Sequence, residues 1–301
     1  MNLAVNVAGV TFQNPLIAAS GTFGYGREMA HYQDLSRLGG ISSKAVTGEP
    51  RLGNPTPRIA ETPSGCLNAV GLQNPGVAAF VSEELPYMQT LGTRIVVNVS
   101  GASEEEYLKV LDTLCGQKFD MVELNISCPN VKQGAMAFGT SPQSAYEITK
   151  LCKAHCEVPL MVKLTPNVSN IAQIACAVED AGADAVSLIN TLTGMAVDAR
   201  ARRPILANVT GGLSGPAVKP VALRMVYEVA KAVKIPVVGM GGIVSGMDVA
   251  EFMLCGARAV MIGTANLMTP TAMTDILADF CAFLEQEGVQ DVNELVGSLK
   301  I

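Results

Sequence analysis

Eight short, β-prone apolar runs recur along the chain, at Pro15–Ala19, Gly40–Val46, Arg94–Val99, Met121–Ile126, Pro159–Leu164, Ala185–Asn190, Pro236–Met240 and Ala259–Ile262. Patterns of helical period separate most of them, and strands that alternate with helices build a parallel sheet. Eight such repeats within about 250 residues, without a compositional break that could act as a linker, favour closure into a (β/α)8 TIM barrel. The whole chain, residues 1–301, is then expected to form a single domain. A doubly wound parallel sheet is the competing architecture.

Local signals fit between the runs. Ser103-Glu104-Glu105-Glu106 predicts a capping box leading into a helix over Tyr107–Leu114, and Gly182 predicts the end of a helix over Ile171–Ala181. Two segments rich in Gly, Pro and Arg, Glu49–Leu67 and Leu192–Ala217, interrupt the rhythm after strands two and six. In a barrel both insertions emerge on the C-terminal face, where they are expected to form a rim or a small subsidiary sheet.

Composition narrows the function classes. With 27 acidic against 21 basic residues the formal net charge is −6, which lacks the basic footprint of a nucleic-acid binder. Hydrophobic residues make up 49% and charged residues 16% of the chain, an apolar excess compatible with subunit interfaces. The segment from Met1 to Gly9 carries no basic leader, and no stretch reaches the ~18 apolar residues of a membrane helix. A soluble, cytoplasmic protein is expected. The eight cysteines are scattered among apolar positions, so reduced thiols are expected rather than a zinc or iron–sulfur centre. Cys152 and Cys156 have i,i+4 spacing and are expected to pack in the core.

The C-terminal ends of the eight runs are Ser20, Lys44, Asn98, Asn125, Lys163, Asn190, Gly241 and Gly263. Polar groups in a barrel interior need partners or a ligand, because leaving one buried and unsatisfied costs ~1–3 kcal/mol. Eight together point to a binding site. Gly239-Met240-Gly241-Gly242-Ile243 and Ile262-Gly263-Thr264-Ala265 follow strands seven and eight, where barrels commonly bind phosphate through backbone N–H groups and a helix N-terminus. Lys44 and Lys163 could stabilise an anionic flavin ring, anchor a substrate carboxylate or form a Schiff base. After strand four, Cys128 stands between Asn125 and Asn130, a rigid thiol among neutral amides suited to proton abstraction from a polar ring. A thiol near its reference pKa of ~8.5 gains base character with rising pH.

Three segments together, Asn68-Ala69-Val70-Gly71-Leu72-Gln73-Asn74-Pro75-Gly76, Asn125-Ile126-Ser127-Cys128-Pro129-Asn130 and Gly239-Met240-Gly241-Gly242-Ile243, resemble the dihydroorotate dehydrogenases, flavoenzymes of pyrimidine biosynthesis. The resemblance runs from about Leu3 to Ala282. It implies an FMN-containing (β/α)8 barrel that oxidises (S)-dihydroorotate to orotate, with Cys128 as the base at C5 and hydride passing from C6 to flavin. FMN would contact Ser20, Lys44, Ala45, Asn98, Asn125, Lys163, Ile189, Gly215, Gly241, Gly242, Gly263 and Thr264. Substrate would meet Lys44, Asn68, Ala69, Val70, Gly71, Leu72, Asn125, Asn130, Asn190 and Thr191. No metal is implied.

Membrane-associated members use serine as base and carry an N-terminal extension; with Cys128 at the position of the base, one of the soluble classes is expected. The stretches from Thr47 to Asn54 and from Val131 to Gly139 resemble the class 1B, NAD-linked catalytic subunit. That class implies a partner subunit holding FAD and a [2Fe–2S] cluster, and a homodimer of catalytic chains within a heterotetramer. Gly134 and Gly139, within the loop Lys132–Thr140 just after Cys128, suggest a mobile lid. Alternatives are a class 1A homodimer that reduces fumarate, a Schiff-base phosphosugar aldolase using Lys163 or Lys44, and a ligand-binding scaffold without activity.

Overall fold

A computed structural model describes residues 1–127 and 138–301. Among them, eight parallel strands close into a barrel: β1 (Leu16–Ala18), β2 (Gly40–Ser42), β3 (Arg94–Val99), β4 (Met121–Asn125), β5 (Leu160–Lys163), β6 (Ala185–Leu188), β7 (Val237–Met240) and β8 (Ala257–Ile262). Each pairs with its sequence neighbour, and Val260 of β8 pairs with Leu16 of β1 to close the ring. The TIM barrel expected from the repeating runs is therefore the fold, and the doubly wound sheet is not. An antiparallel hairpin, Val5–Val7 with Val10–Phe12, precedes β1.

Most strands are followed by helices that cover the barrel, among them Glu104–Leu114, Pro142–Lys153, Ile171–Asp180, Lys219–Ala232, Gly246–Leu254 and Ala272–Gln286. Their apolar faces join strand side chains such as Val97, Leu124 and Met261 in one continuous core that also contains Tyr107, Phe252 and Phe280. Gly182 ends its helix as expected. With a φ of 95° it lets its own N–H reach the Glu179 carbonyl while the Ala183 N–H reaches that of Val178.

One local expectation needs correction. Ser103 caps the helix Glu104–Leu114 by accepting from the Glu106 N–H, but Glu106 does not return to the Ser103 backbone. Its carboxylate instead accepts from the Ala102 N–H at 2.7 Å and from Arg51 at 2.9 Å, because it is needed to tie the first insertion to the barrel. We expect Ser103→Ala to cost about 1 kcal/mol of stability in urea unfolding. Cys152 is buried in the core and Cys156, half-buried in the turn beyond the helix Pro142–Lys153, packs against the same core, as expected. Their i,i+4 spacing spans the end of that helix. Burial pushes the Cys156 thiol up to about 12.

The two insertions join as expected. Ile59–Thr62 and Gly65–Asn68 from the first, with Leu192–Met195 and Thr210–Ser214 from the second, form a four-stranded antiparallel sheet. Leu67, Ala69 and Leu206 give it a small core of its own. Asn68 pairs with Gly212, so segments far apart in the chain meet beside the barrel mouth.

Candidate active site

A pocket opens over the C-terminal ends of the barrel strands. Ser20, Lys44, Asn125, Lys163, Asn190, Gly241 and Gly263 line it, seven of the eight strand ends, together with Ala45, Ile189, Gly215, Gly242 and Thr264. Asn68, Val70, Gly71 and Leu72, just past the first insertion, and Thr191, just before the second, complete the lining. The loop Asn68–Leu72 is positioned by Asn74, a buried amide that donates to Thr47 Oγ1 and to the Leu72 carbonyl, each at 2.8 Å, and accepts from the Gly76 N–H. Gly71 has a φ of 78°, and a side chain there would come within 2.7 Å of Asn54, so the close turn requires glycine.

Two expected contacts are placed elsewhere among the described residues. The Ala69 side chain, just past the strand Gly65–Asn68, is fully buried in the small core of the subsidiary sheet, whereas Asn68 and Val70 line the pocket. Asn98 is also fully buried and lies below the pocket floor. Cys128 and Asn130, with residues 132–137 of the expected lid, fall outside the described residues.

The floor is an ordered relay of amides and hydroxyls. Asn190 Nδ2 donates to Ser127 Oγ at 2.8 Å, and Ser127 Oγ donates to Asn125 Oδ1 at 2.9 Å. Asn125 Nδ2 donates to Asn98 Oδ1 at 3.4 Å, and Asn98 Nδ2 donates to Glu123 Oε2 at 2.6 Å. A carboxylate only accepts, so Glu123 dictates which face every amide above it presents. Sequence reading missed Glu123 and Ser127. The signal was there for Glu123: it is an acidic residue inside the apolar run Met121–Asn125, where an unpartnered charge would be prohibitive. Tyr107, on the covering helix, donates its hydroxyl to the Asn125 carbonyl at 2.8 Å and so fixes the end of β4.

The two lysines differ. Burial, reinforced by the nearby Arg58 and opposed by Glu28, holds the Lys44 ammonium below the usual lysine range. Lys163 is 5% exposed and its Nζ lies 3.8 Å from Glu123 Oε1.

The glycine segments leave donors toward the pocket: the N–H groups of Gly242, Ile243, Gly263 and Thr264 have no protein acceptor among the described residues. Gly242 has a φ of 83°, and a Cβ there would meet the Gly215 carbonyl at 2.9 Å. These features suit an anionic group such as a phosphate. The expected contribution of the next helix is different: the N-terminus of Gly246–Leu254 is already satisfied by Ser245, Asp248 and Asp279. Its carboxylates would oppose an anion, so the backbone donors carry this role.

The family model for dihydroorotate dehydrogenase matches residues 2–284. The chain belongs to the dihydroorotate dehydrogenase family. It is 55% identical to the "Dihydroorotate dehydrogenase B (NAD(+)), catalytic subunit" of Geotalea uraniireducens, over 99% of this chain and 98% of that one. Proteins of the same name from Alkaliphilus oremlandii, at 52% identity over 99% of both chains, and Caldicellulosiruptor bescii, at 50% over the full length of both, are also similar. A dihydroorotate dehydrogenase of Eimeria tenella, solved in complex with ferulenol, shares the fold. Its TM-score is 0.82 at 21% identity, with 99% of this chain and 88% of that one covered. Among the described residues no helix is long and apolar enough to cross a membrane.

Proposed function

We propose that the chain is the FMN-binding catalytic subunit of an NAD-linked dihydroorotate dehydrogenase, oxidising (S)-dihydroorotate to orotate in cytoplasmic pyrimidine biosynthesis. The observation that carries this reading is the convergence on one pocket of two lysines, the amides Asn68, Asn125 and Asn190, and backbone donors suited to a phosphate.

The substrate ring carries amide edges and a carboxylate. Asn68, Asn125 and Asn190, with Thr191 and Asn130, pair with those edges, and neutral amides orient the ring without adding charge. Lys44 opposes the carboxylate. The backbone of Gly242, Gly263 and Thr264 would hold the FMN phosphate, and Ser20, Ala45, Ile189, Gly215 and Gly241, which line the same pocket, would border the cofactor. Lys163, which lines the same pocket, would stabilise negative charge on the flavin ring. Bound FMN supplies the acceptor for the hydride leaving C6. Cys128 takes the proton from C5, so loss of one proton and one hydride leaves the C5=C6 double bond of orotate. A substrate ring held between this thiol and the flavin would undergo both transfers as intramolecular steps in effect.

The electrons must then leave the site. The words "catalytic subunit" in the relatives' names support a separate partner, which we assign as an FAD and [2Fe–2S] subunit passing electrons to NAD, in a heterotetramer built on a homodimer of catalytic chains. The purified chain is expected to be yellow, to bleach on adding dihydroorotate, and to reduce NAD rapidly only with the partner. A colourless protein that is trapped by borohydride with a phosphosugar would overturn the reading. Equally fast NAD reduction by the chain alone would remove the partner.

A further inference from the structure

Glu123 has no part in the chemistry assigned above, yet its carboxylate has partners on four other barrel strands. It is fully buried at the centre of β4. Its Oε2 accepts from Ser42 Oγ of β2 at 2.9 Å and from Asn98 Nδ2 of β3 at 2.6 Å. Its Oε1 accepts from Ser187 Oγ of β6 at 2.8 Å and lies 3.8 Å from Lys163 Nζ of β5. Five strands therefore meet at one carboxylate just beneath the pocket floor.

A carboxylate is the costliest acceptor to bury, and most of this work does not require one. Ser42, Asn98 and Ser187 are neutral donors that a glutamine oxygen could serve, with its amide turned toward a serine hydroxyl able to accept. Lys163 is the exception. It is almost fully buried, it lines the pocket, and Glu123 is its ion-pair partner among the described residues. What glutamate adds over glutamine at this position is negative charge beside that ammonium.

We propose that Glu123 is a positioning residue that supplies the counter-charge to Lys163, keeping the ammonium seated under the pocket and attenuating the positive field it projects onto the ring bound above. The ion pair stands on the geometry alone, whereas its redox consequence rests on the reading of Lys163 as a flavin neighbour. The carboxylate thereby limits how strongly the site favours negative charge on that ring.

Glu123→Gln removes the charge while retaining an acceptor for Asn98. In the FMN-loaded protein, sulfite adds to the flavin, places negative charge on the ring and bleaches its visible band. We expect sulfite to bind the variant about tenfold more tightly than the parent, the size expected of one unit charge acting across a short span of protein interior. The flavin midpoint potential should rise in parallel. Unchanged or weaker sulfite binding in a folded, yellow variant overturns the proposal, since a merely structural role would not strengthen it.

Should Glu123→Gln fail to retain FMN, thermal unfolding of the ligand-free parent, Glu123→Gln, Lys163→Met and the double variant decides the matter. Removing both charges together should give a higher Tm than removing either alone, because each single variant strands a buried charge. Additive losses overturn the counter-charge. This second measurement needs no flavin, so a colourless parent would refute the proposed function and leave the ion pair still testable.

Discussion

Replacing Cys128 with alanine should slow flavin reduction by dihydroorotate by about 10²–10⁴-fold, the usual contribution of a positioned general base. The oxidised variant should remain yellow. Although Cys128 itself lies outside the described residues, the chain enters it from a fixed point. The Ser127 N–H donates to Asn125 Oδ1 at 3.2 Å, and Ser127 Oγ holds both Asn125 and Asn190. Where the described chain resumes, Gly139 packs so closely on β4's exit that a Cβ would stand 2.3 Å from the Ile126 carbonyl. Cys66→Ala is the informative control, because Cys66 also lines the pocket and approaches Ser214 Oγ at 3.5 Å. Stopped-flow bleaching that survives in Cys128→Ala and disappears in Cys66→Ala would transfer the role to the other thiol.

Lys44→Met should lower kcat/KM for dihydroorotate by about 10²-fold or more, chiefly through substrate affinity. Removing one member of a desolvated charge pair costs ~2–5 kcal/mol, because the carboxylate is then left without its cation. The pH dependence sharpens the test. Burial makes Lys44 surrender its proton at lower pH than an ordinary lysine, so substrate affinity in the parent should fall as the solution becomes alkaline. Ionisation of Cys128 acts in the opposite sense on kcat, which should rise with pH. The parent therefore combines a rising kcat with weakening affinity, and Lys44→Met should lose the second trend while keeping the first. A variant whose dihydroorotate affinity still falls at alkaline pH with the parent's profile would remove Lys44 from the carboxylate.

Much of the barrel was legible because its signals are local. Apolar runs such as Arg94–Val99 and Ala185–Leu188 announce buried strands, and the glycines that follow β7 and β8 mark close backbone approach. Polar strand ends were legible as a site for a related reason: Lys44, Asn125 and Lys163 stand where aliphatic filling is the rule. The misreadings arise where distant segments meet. Glu106 satisfies the spacing of a capping box, yet the arrival of Arg51 from the first insertion gave its carboxylate a different task. The Ala69 side chain, inside the recognisable stretch Asn68–Gly76, packs into the small core with Leu67 and Leu206, a placement no local pattern announces.

The order of strands and helices, the insertions after strands two and six, and the identity of the groups at the strand ends follow from the sequence by itself, since periodicity and turn chemistry act over a few residues. The polar layer beneath the pocket was decided by tertiary structure alone. Ser42, Asn98, Glu123, Lys163 and Ser187 are separated by whole strands and helices, and nothing in their neighbours specifies that they meet. Barrel closure and strand register bring them within bonding distance. A carboxylate that accepts from several donors then acquires a role in orienting the site that no short stretch of sequence contains.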